Sequence, residues 1–283
     1  MSDPAVSKVT FFQKNDTVCP ICETPFKKEE LRQGGGRQIA GPLGDDLRRY
    51  YEASKKFGEI YPLIYSVLTC PRCYYSALAS DFLTPDPKAL EALRSEEEER
   101  KKFVSPLFEG LDFERPKTLL EGAASYLLCL MTYNHFSSSL SPTVKAAICA
   151  LRAAWCFADL HKKYPSENWD YLEKVLYHKA KFYYTQTIDK EQSGEETVNA
   201  SMFFGPDVDN NYGYDGVMYL TGWLEFHFGN RENEAARAES LATARRAIAR
   251  LVGMGKSSKA KPSVLIDKAK DLHKLMGEAI KDE

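Results

Sequence analysis

Cys19-Pro20-Ile21-Cys22 and Cys70-Pro71-Arg72-Cys73 are two copies of one short pattern, and their pairing decides how the chain is read. A CPxC hook presents two thiolates from one tight turn. Two hooks complete the four-sulfur shell of a single tetrahedral zinc ion. Proline after the first cysteine fixes φ and favours the turn whose backbone N–H groups bond to sulfur. Cys19, Cys22, Cys70 and Cys73 are therefore the expected metal ligands, holding one structural Zn2+ per chain. The rival chemistry is dithiol redox or iron–sulfur binding. The redox motif needs one active pair in a strand–helix–strand setting, and neither hook precedes a crossover helix. Four thiolates leave zinc no open position, so activation of water is not expected.

Outward from the hooks, Val9-Thr10-Phe11-Phe12 and Tyr65-Ser66-Val67-Leu68 are strand-like runs that each lead into one. That order suits a zinc ribbon, although the stretch from Glu23 to Thr69 is long for a simple one. Within it, Gly34-Gly35-Gly36 reads as a flexible bend, and a helix is expected from about Asp45 to Phe57.

From Asp86 onward only helices are expected. Asp86-Pro87 is an N-cap followed by proline at the first helical position. Lys88 to Lys102, with its run Glu96 to Glu99, reads as a solvated helix or linker. Thr118 to Phe136 is dense in Leu, Ala and Tyr. Ser141-Pro142 opens a helix with Val144, Ile148, Leu151 and Trp155 on one face, and Ser166 caps another carrying Trp169, Leu172, Leu176, Ala180 and Tyr184. Gly216 to Phe228 has two apolar faces, as a helix between neighbours would. Helices over about Glu232 to Val252 and Lys261 to Ile280 close the chain. The paired helices, Gly222 and Gly229 seven apart, Ala247-Ile248, and the step from Ala180 to Tyr184 suggest a tetratricopeptide-like stack, with an irregular bundle as the other arrangement. The expected fold is thus mainly α. A small zinc-ribbon-like module with short strands (residues 1–85) precedes an α-helical, tetratricopeptide-like domain (residues 86–283).

Other motifs carry less. Asp207 to Asp215 has the acidic spacing of a calcium loop, but Tyr212 and Met218 stand where its glycine and glutamate belong, so a polar turn with Asp215 as a helix cap is expected. Gly255-Lys256-Ser257 lacks the earlier glycine and preceding strand of a phosphate loop. His135, His161, His178, His227 and His273 form no ligand or catalytic pair, and no nucleophile motif appears. Tyr171, Tyr177, Tyr183 and Tyr184 read as inter-helix packing, or as the lining of a partner groove.

The bulk properties set bounds. The chain of 283 residues is 43% hydrophobic with net charge −2, enough for a core and without a global field toward nucleic acid or anionic membrane. Its start carries no basic and apolar leader, and no apolar run reaches membrane length. Seven cysteines, three of them in apolar helical segments, suit a reducing cytoplasm.

The chain resembles the bacterial DUF2225 family (domain of unknown function 2225). The resemblance rests on Cys19-Pro20-Ile21-Cys22, Asp45-Asp46-Leu47-Arg48-Arg49-Tyr50, Tyr61-Pro62-Leu63-Ile64-Tyr65, Cys70-Pro71-Arg72-Cys73-Tyr74-Tyr75-Ser76-Ala77 and Asp81-Phe82. It implies a zinc-hook module fused to a helical-repeat region, and no reaction or catalytic residue. Tyr74 stands where many knuckles place glycine.

The functional expectation is a non-catalytic cytoplasmic adaptor or scaffold that binds a protein or peptide partner through its helical region, without membrane contact. The alternative is a zinc-ribbon nucleic-acid-binding protein, for which Lys27, Lys28, Arg32, Arg37 and Arg72 offer a mildly basic group. An enzyme would need Asp45, Asp46, Asp81 and His135 to converge in a cleft.

Overall fold

Three β-hairpins and eight α-helices make up the computed structural model, which describes residues 9–198, 205, 207–255 and 262–282. The chain start before Val9, the Lys256-Ser257 part of the phosphate-loop-like triplet and the first residue of the helix expected from Lys261 lie outside the described residues.

β1 (Thr10–Val18) pairs antiparallel with β2 (Pro25–Leu31), with a bulge between Phe12 and Asp16. β3 (Ile39–Leu43) pairs with β4 (Arg49–Glu52), and β5 (Val67–Thr69) with β6 (Ser76–Leu78). The first and third hairpins end in the two hooks, since Val18 faces Pro25 and Thr69 faces Ser76. The strand expected over Tyr65 to Leu68 begins two residues late, because Pro62–Tyr65 forms a 3-10 turn.

The helix expected from Asp45 to Phe57 is a hairpin instead. Asp46 folds its carboxylate back onto the Arg48 amide (3.2 Å), and the Gly44 amide donates to the Arg48 carbonyl (2.7 Å). Leu47 takes a left-handed φ of 63° with its side chain buried. This turn chemistry and the strand-prone Tyr50-Tyr51 outweigh the helical propensity of the flanking residues. Gly34, Gly35 and Gly36 form the expected bend, all at left-handed φ.

Asp86 accepts from the Lys88 amide and starts a short turn, followed by α1 (Leu90–Ser95) and α2 (Glu97–Val104). This segment is not simply solvated. Leu93, Arg100 and Val104 are buried, while Glu98 and Glu99 face solvent. α3 (Leu119–Tyr133) opens with a capping box, Thr118 accepting from the Leu120 amide and Glu121 accepting from the Thr118 amide. It is buried nearly all round and packs on α4 and the third hairpin. Gly122 lets it approach Ile64, where a Cβ would stand 2.3 Å from the Ile64 Cγ2.

α4 (Pro142–Lys163), α5 (Trp169–Ser193), α6 (Gly213–Phe228), α7 (Glu234–Gly255) and α8 (Ser263–Asp282) follow, each packed on the next. α6 touches α5, α7 and α8, as its two apolar faces require. Two expected caps move. α5 begins after Asn168 rather than Ser166, and Asp215 lies inside the first turn of α6, whose Gly213 amide is met by Asn211 (2.9 Å). One hydrophobic core runs from Cys19 through Tyr126 and Trp155 to Met276. The expected division at residues 85 and 86 lies between β6 and α1, and this core continues on both sides of it.

Candidate metal centre

The two hooks fold alike. In each, the first cysteine's amide donates to a carbonyl five residues on: Cys19 to Thr24 at 3.0 Å, and Cys70 to Tyr75 at 2.9 Å. In each, the residue after the second cysteine closes the turn by donating to the first cysteine's carbonyl, Glu23 to Cys19 and Tyr74 to Cys70. Those two residues take left-handed φ values of 61° and 59°. Tyr74 thus adopts the conformation that glycine usually supplies, held by an edge-on contact with Phe113. Amides of Cys22 and Thr24 bond to the sulfurs of Cys19 and Cys22, and those of Cys73 and Tyr75 to the sulfurs of Cys70 and Cys73.

The hooks meet sulfur to sulfur. Cys19 Sγ lies 3.7 Å from Cys73 Sγ, Cys22 Sγ lies 3.6 Å from Cys70 Sγ, and all four ligand atoms fall within 4.8 Å of one another. Disulfide sulfurs stand only about 2 Å apart. Bonds of about 2.3 Å to one central ion put tetrahedral corners about 3.8 Å apart, so the spacing suits a single four-coordinate cation. The four cysteines predicted as ligands are therefore brought together and can hold a metal ion. The other three cysteines are free thiols buried in the helical core.

Without a cation three of the four thiols resist ionisation. A bond with Cys70 pulls the Cys19 thiol down, but its bond with Cys73 and burial outweigh that and push it up to about 12. The bond with Cys19 and burial push Cys70 up to about 12. For Cys73 the bond with Cys19 pulls down, yet Cys70 and burial raise it to about 12. At Cys22 burial acts upward, but the hydroxyl and amide of Thr24 prevail and lower it to about 7. A divalent ion supplies the charge that lets all four ionise together.

Two arginines reach the hooks from the segment after the module. Arg94 Nε donates to the Ile21 carbonyl (3.2 Å), and Arg100 Nε donates to the Cys73 carbonyl (2.9 Å). Sequence reading missed both, because the glutamate run dominated. The available signal was spacing: Arg100 lies seven residues after Leu93 and four before Val104, in register with a buried face.

The other candidate residues do not assemble a second centre. Asp45 pairs with Lys268, Asp81 with Lys145, and His135 with Glu96, while Asp46 is bound to the Arg48 amide. Asp207 and Asp209, the calcium-like pair, clasp the amide and guanidinium of Arg49 (2.9 and 2.8 Å). Within the basic group, Lys27 pairs with Asp16, Lys28 with Glu30 and Arg72 with Glu97, while Arg32 and Arg37 lie over Phe11 and Phe57. A cavity of about 300 Å³ beside β4 and α4 is lined by Arg48, Asp159, Glu59 and Lys163, already paired as Arg48–Asp159 and Lys163–Glu59. Among the described residues no helix is long and apolar enough to cross a membrane.

Residues 12–276 match the DUF2225 family, described as uncharacterized proteins conserved in bacteria. The chain is 44% identical over 268 residues to an uncharacterized protein of Borreliella burgdorferi, covering 95% of this chain and 96% of the relative. No solved structure matches it.

Proposed function

The chain belongs to the bacterial DUF2225 family, and we propose that it is a zinc-stapled, non-catalytic scaffold that docks an amphipathic peptide or helix of a partner protein on its helical half. Zinc is favoured for the metal because a closed four-thiolate shell suits a structural ion. Four sulfurs this close would also not enclose a polynuclear cluster. Helices α4 to α8 are read as a tetratricopeptide-like stack, supported by the close approach of Gly222 to Ile248 across α6 and α7. Free thiols throughout suit a reducing cytoplasm.

The observation that carries the docking reading is the outward ridge of α5. Tyr171, Val175, His178, Phe182, Thr185 and Asp189 follow one another at helical spacing and are all exposed. Tyr171 and Phe182 are 65% and 59% exposed, which is unusual for large apolar side chains in a row on one helix face. Tyr177 and Tyr184 turn the other way, into the core. The ridge leads into a groove of about 650 Å³ between α5, α6 and α7, with Arg246 and Arg250 one turn apart on its far side. Lys174 and Lys179 stand beside the apolar residues, and Asp189, Glu225 and Glu239 line the groove together with Arg246 and Arg250, so an amphipathic partner with both signs of charge complements the face.

The test is affinity capture from the native cells, after nuclease treatment, with wild-type bait and a Tyr171→Glu/Phe182→Glu bait. A stoichiometric partner held by the first and lost by the second, at unchanged melting temperature, supports docking on α5. Equal capture by both baits removes this surface from consideration. Bait-bound RNA or DNA that nuclease releases would point to the nucleic-acid role instead.

A further inference from the structure

α1 and α2 are short and break at Glu96, yet each sends an arginine to a different hook. Arg94, in the last turn of α1, donates to the third residue of the first hook. Arg100, on α2, donates to the last residue of the second hook, and through Nη1 to the Leu93 carbonyl (2.8 Å) in the last turn of α1. Arg100 is 0% exposed. Its Nη2 has no hydrogen-bond partner, and among the described residues neither arginine has a carboxylate within ion-pair distance. The nearby Glu97 is engaged by Lys101 (2.5 Å) and Arg72 (3.7 Å).

A guanidinium taken fully out of water without a direct ion pair, with only Glu97 acting on it from a distance, is a costly arrangement, and proteins keep such groups only when something nearby balances them. The adjoining hooks can supply that balance. Four thiolates around one divalent ion leave a net charge of minus two, delocalised over sulfurs that already accept backbone hydrogen bonds. Two arginines, one per hook, match that charge.

We infer that Arg100 and Arg94 are positioning residues that neutralise the metal–thiolate centre, so that metal loading locks the α1–α2 segment onto the two hooks. The inference rests on the metal reading proposed above. On it, the ion does more than join two hairpins. It also fixes residues 90–104, the connection between the hook hairpins and α3. Arg100 is the larger contributor because it is fully enclosed, and Arg94 is the smaller because its side chain keeps solvent contact.

The experiment uses the full-length protein. Zinc affinity is measured by competition with a chromophoric chelator, Co2+ reports the tetrahedral thiolate spectrum, and amide hydrogen exchange is followed over residues 90–104 with and without metal. Wild type binds one zinc, and its residues 90–104 exchange faster once the metal is removed. Arg100→Met weakens zinc binding by roughly 10- to 100-fold, the usual range for outer-shell partners. Arg100→Lys, which keeps the charge, recovers part of that loss. Arg94→Gln weakens binding by a smaller factor, and the exposed Arg115→Gln leaves it unchanged. If Arg100→Met does not fold, Arg94→Gln decides the matter.

Wild-type affinity in every arginine variant that folds overturns the inference. So do equal losses for Arg100→Met and Arg100→Lys, and so does exchange at residues 90–104 that ignores the metal. A wild-type protein that binds neither Zn2+ nor Co2+ would instead sink the metal reading beneath it.

Discussion

Arg48 shows how much one side chain can decide. It is buried between the second hairpin and α4, donating to the Asp159 carboxylate and to the Trp155 carbonyl (3.3 Å), with Tyr50 against its face. Burial acts to lower its pKa, but the Asp159 charge and hydrogen bond prevail and raise it further. Removing one member of a buried pair strands the other, so Arg48→Met is expected to cost about 3–5 kcal/mol in urea unfolding. Adding Asp159→Leu should return part of that loss, because the stranded Asp159 is gone while buried Asp46 still lacks the Arg48 charge. Lys117 gives a pH signature. Its ammonium is enclosed, donating to the Ile64 and Val67 carbonyls, and burial lowers it from 10.5 to about 8. The folded chain therefore releases this proton before the unfolded chain does. The cost of burying the cation is present in full below about pH 8 and disappears as pH rises toward 10.5. Lys117 should thus contribute a rise in stability of about 3 kcal/mol across that window. Thiols and tyrosines that burial raises lose stability over the same range, so the check is the difference: the wild-type urea midpoint should gain on that of Lys117→Met between pH 8 and pH 10.

At the scale of elements, close approach and hydrogen-bonded turns set the geometry more than propensity does. α3 is the central helix, and it reaches the Pro62–Tyr65 turn only because residue 122 is glycine. Gly122→Ala should cost about 1–3 kcal/mol by overpacking against Ile64, against the small gain that alanine gives in a free helix. The same substitution in an Ile64→Ala background should cost less, and a double-mutant cycle by thermal unfolding measures the difference. The β3–β4 hairpin arises from the Asp46 turn and from pairing with Ile39–Leu43 just before it. β4 is then held by Asp207 and Asp209, more than a hundred residues away. Sequence reading treated those acids as a polar turn. Their real use, clasping Arg49, depends on chain crossing that spacing alone does not express.

Across the whole molecule, the hairpins that carry the two cysteine hooks and a helical assembly share one hydrophobic core. Metal removal by a strong chelator is expected to free the hooks and residues 90–104 while leaving most helical content of α3 to α8. Limited proteolysis should then cut within the first hundred residues, and the far-UV helical signal should fall only slightly. Global unfolding on chelation would mean that the shared core makes the two halves one cooperative unit. The sequence by itself determined the four cysteines that can hold a metal ion, the strands that lead into the two hooks, the mainly helical remainder and the starts of α3 and α4. These are local matters: two thiolates three residues apart, proline at a helix start and apolar spacing along one face are each written in a short window. Only the tertiary structure decided that the two hooks face each other with tetrahedral sulfur spacing. The same is true of Arg94 and Arg100 reaching those hooks, and of Tyr171 and Phe182 staying outside while Tyr177 and Tyr184 turn inward. Each of these depends on which surfaces meet, and that follows from burying one continuous core rather than from any local run of residues.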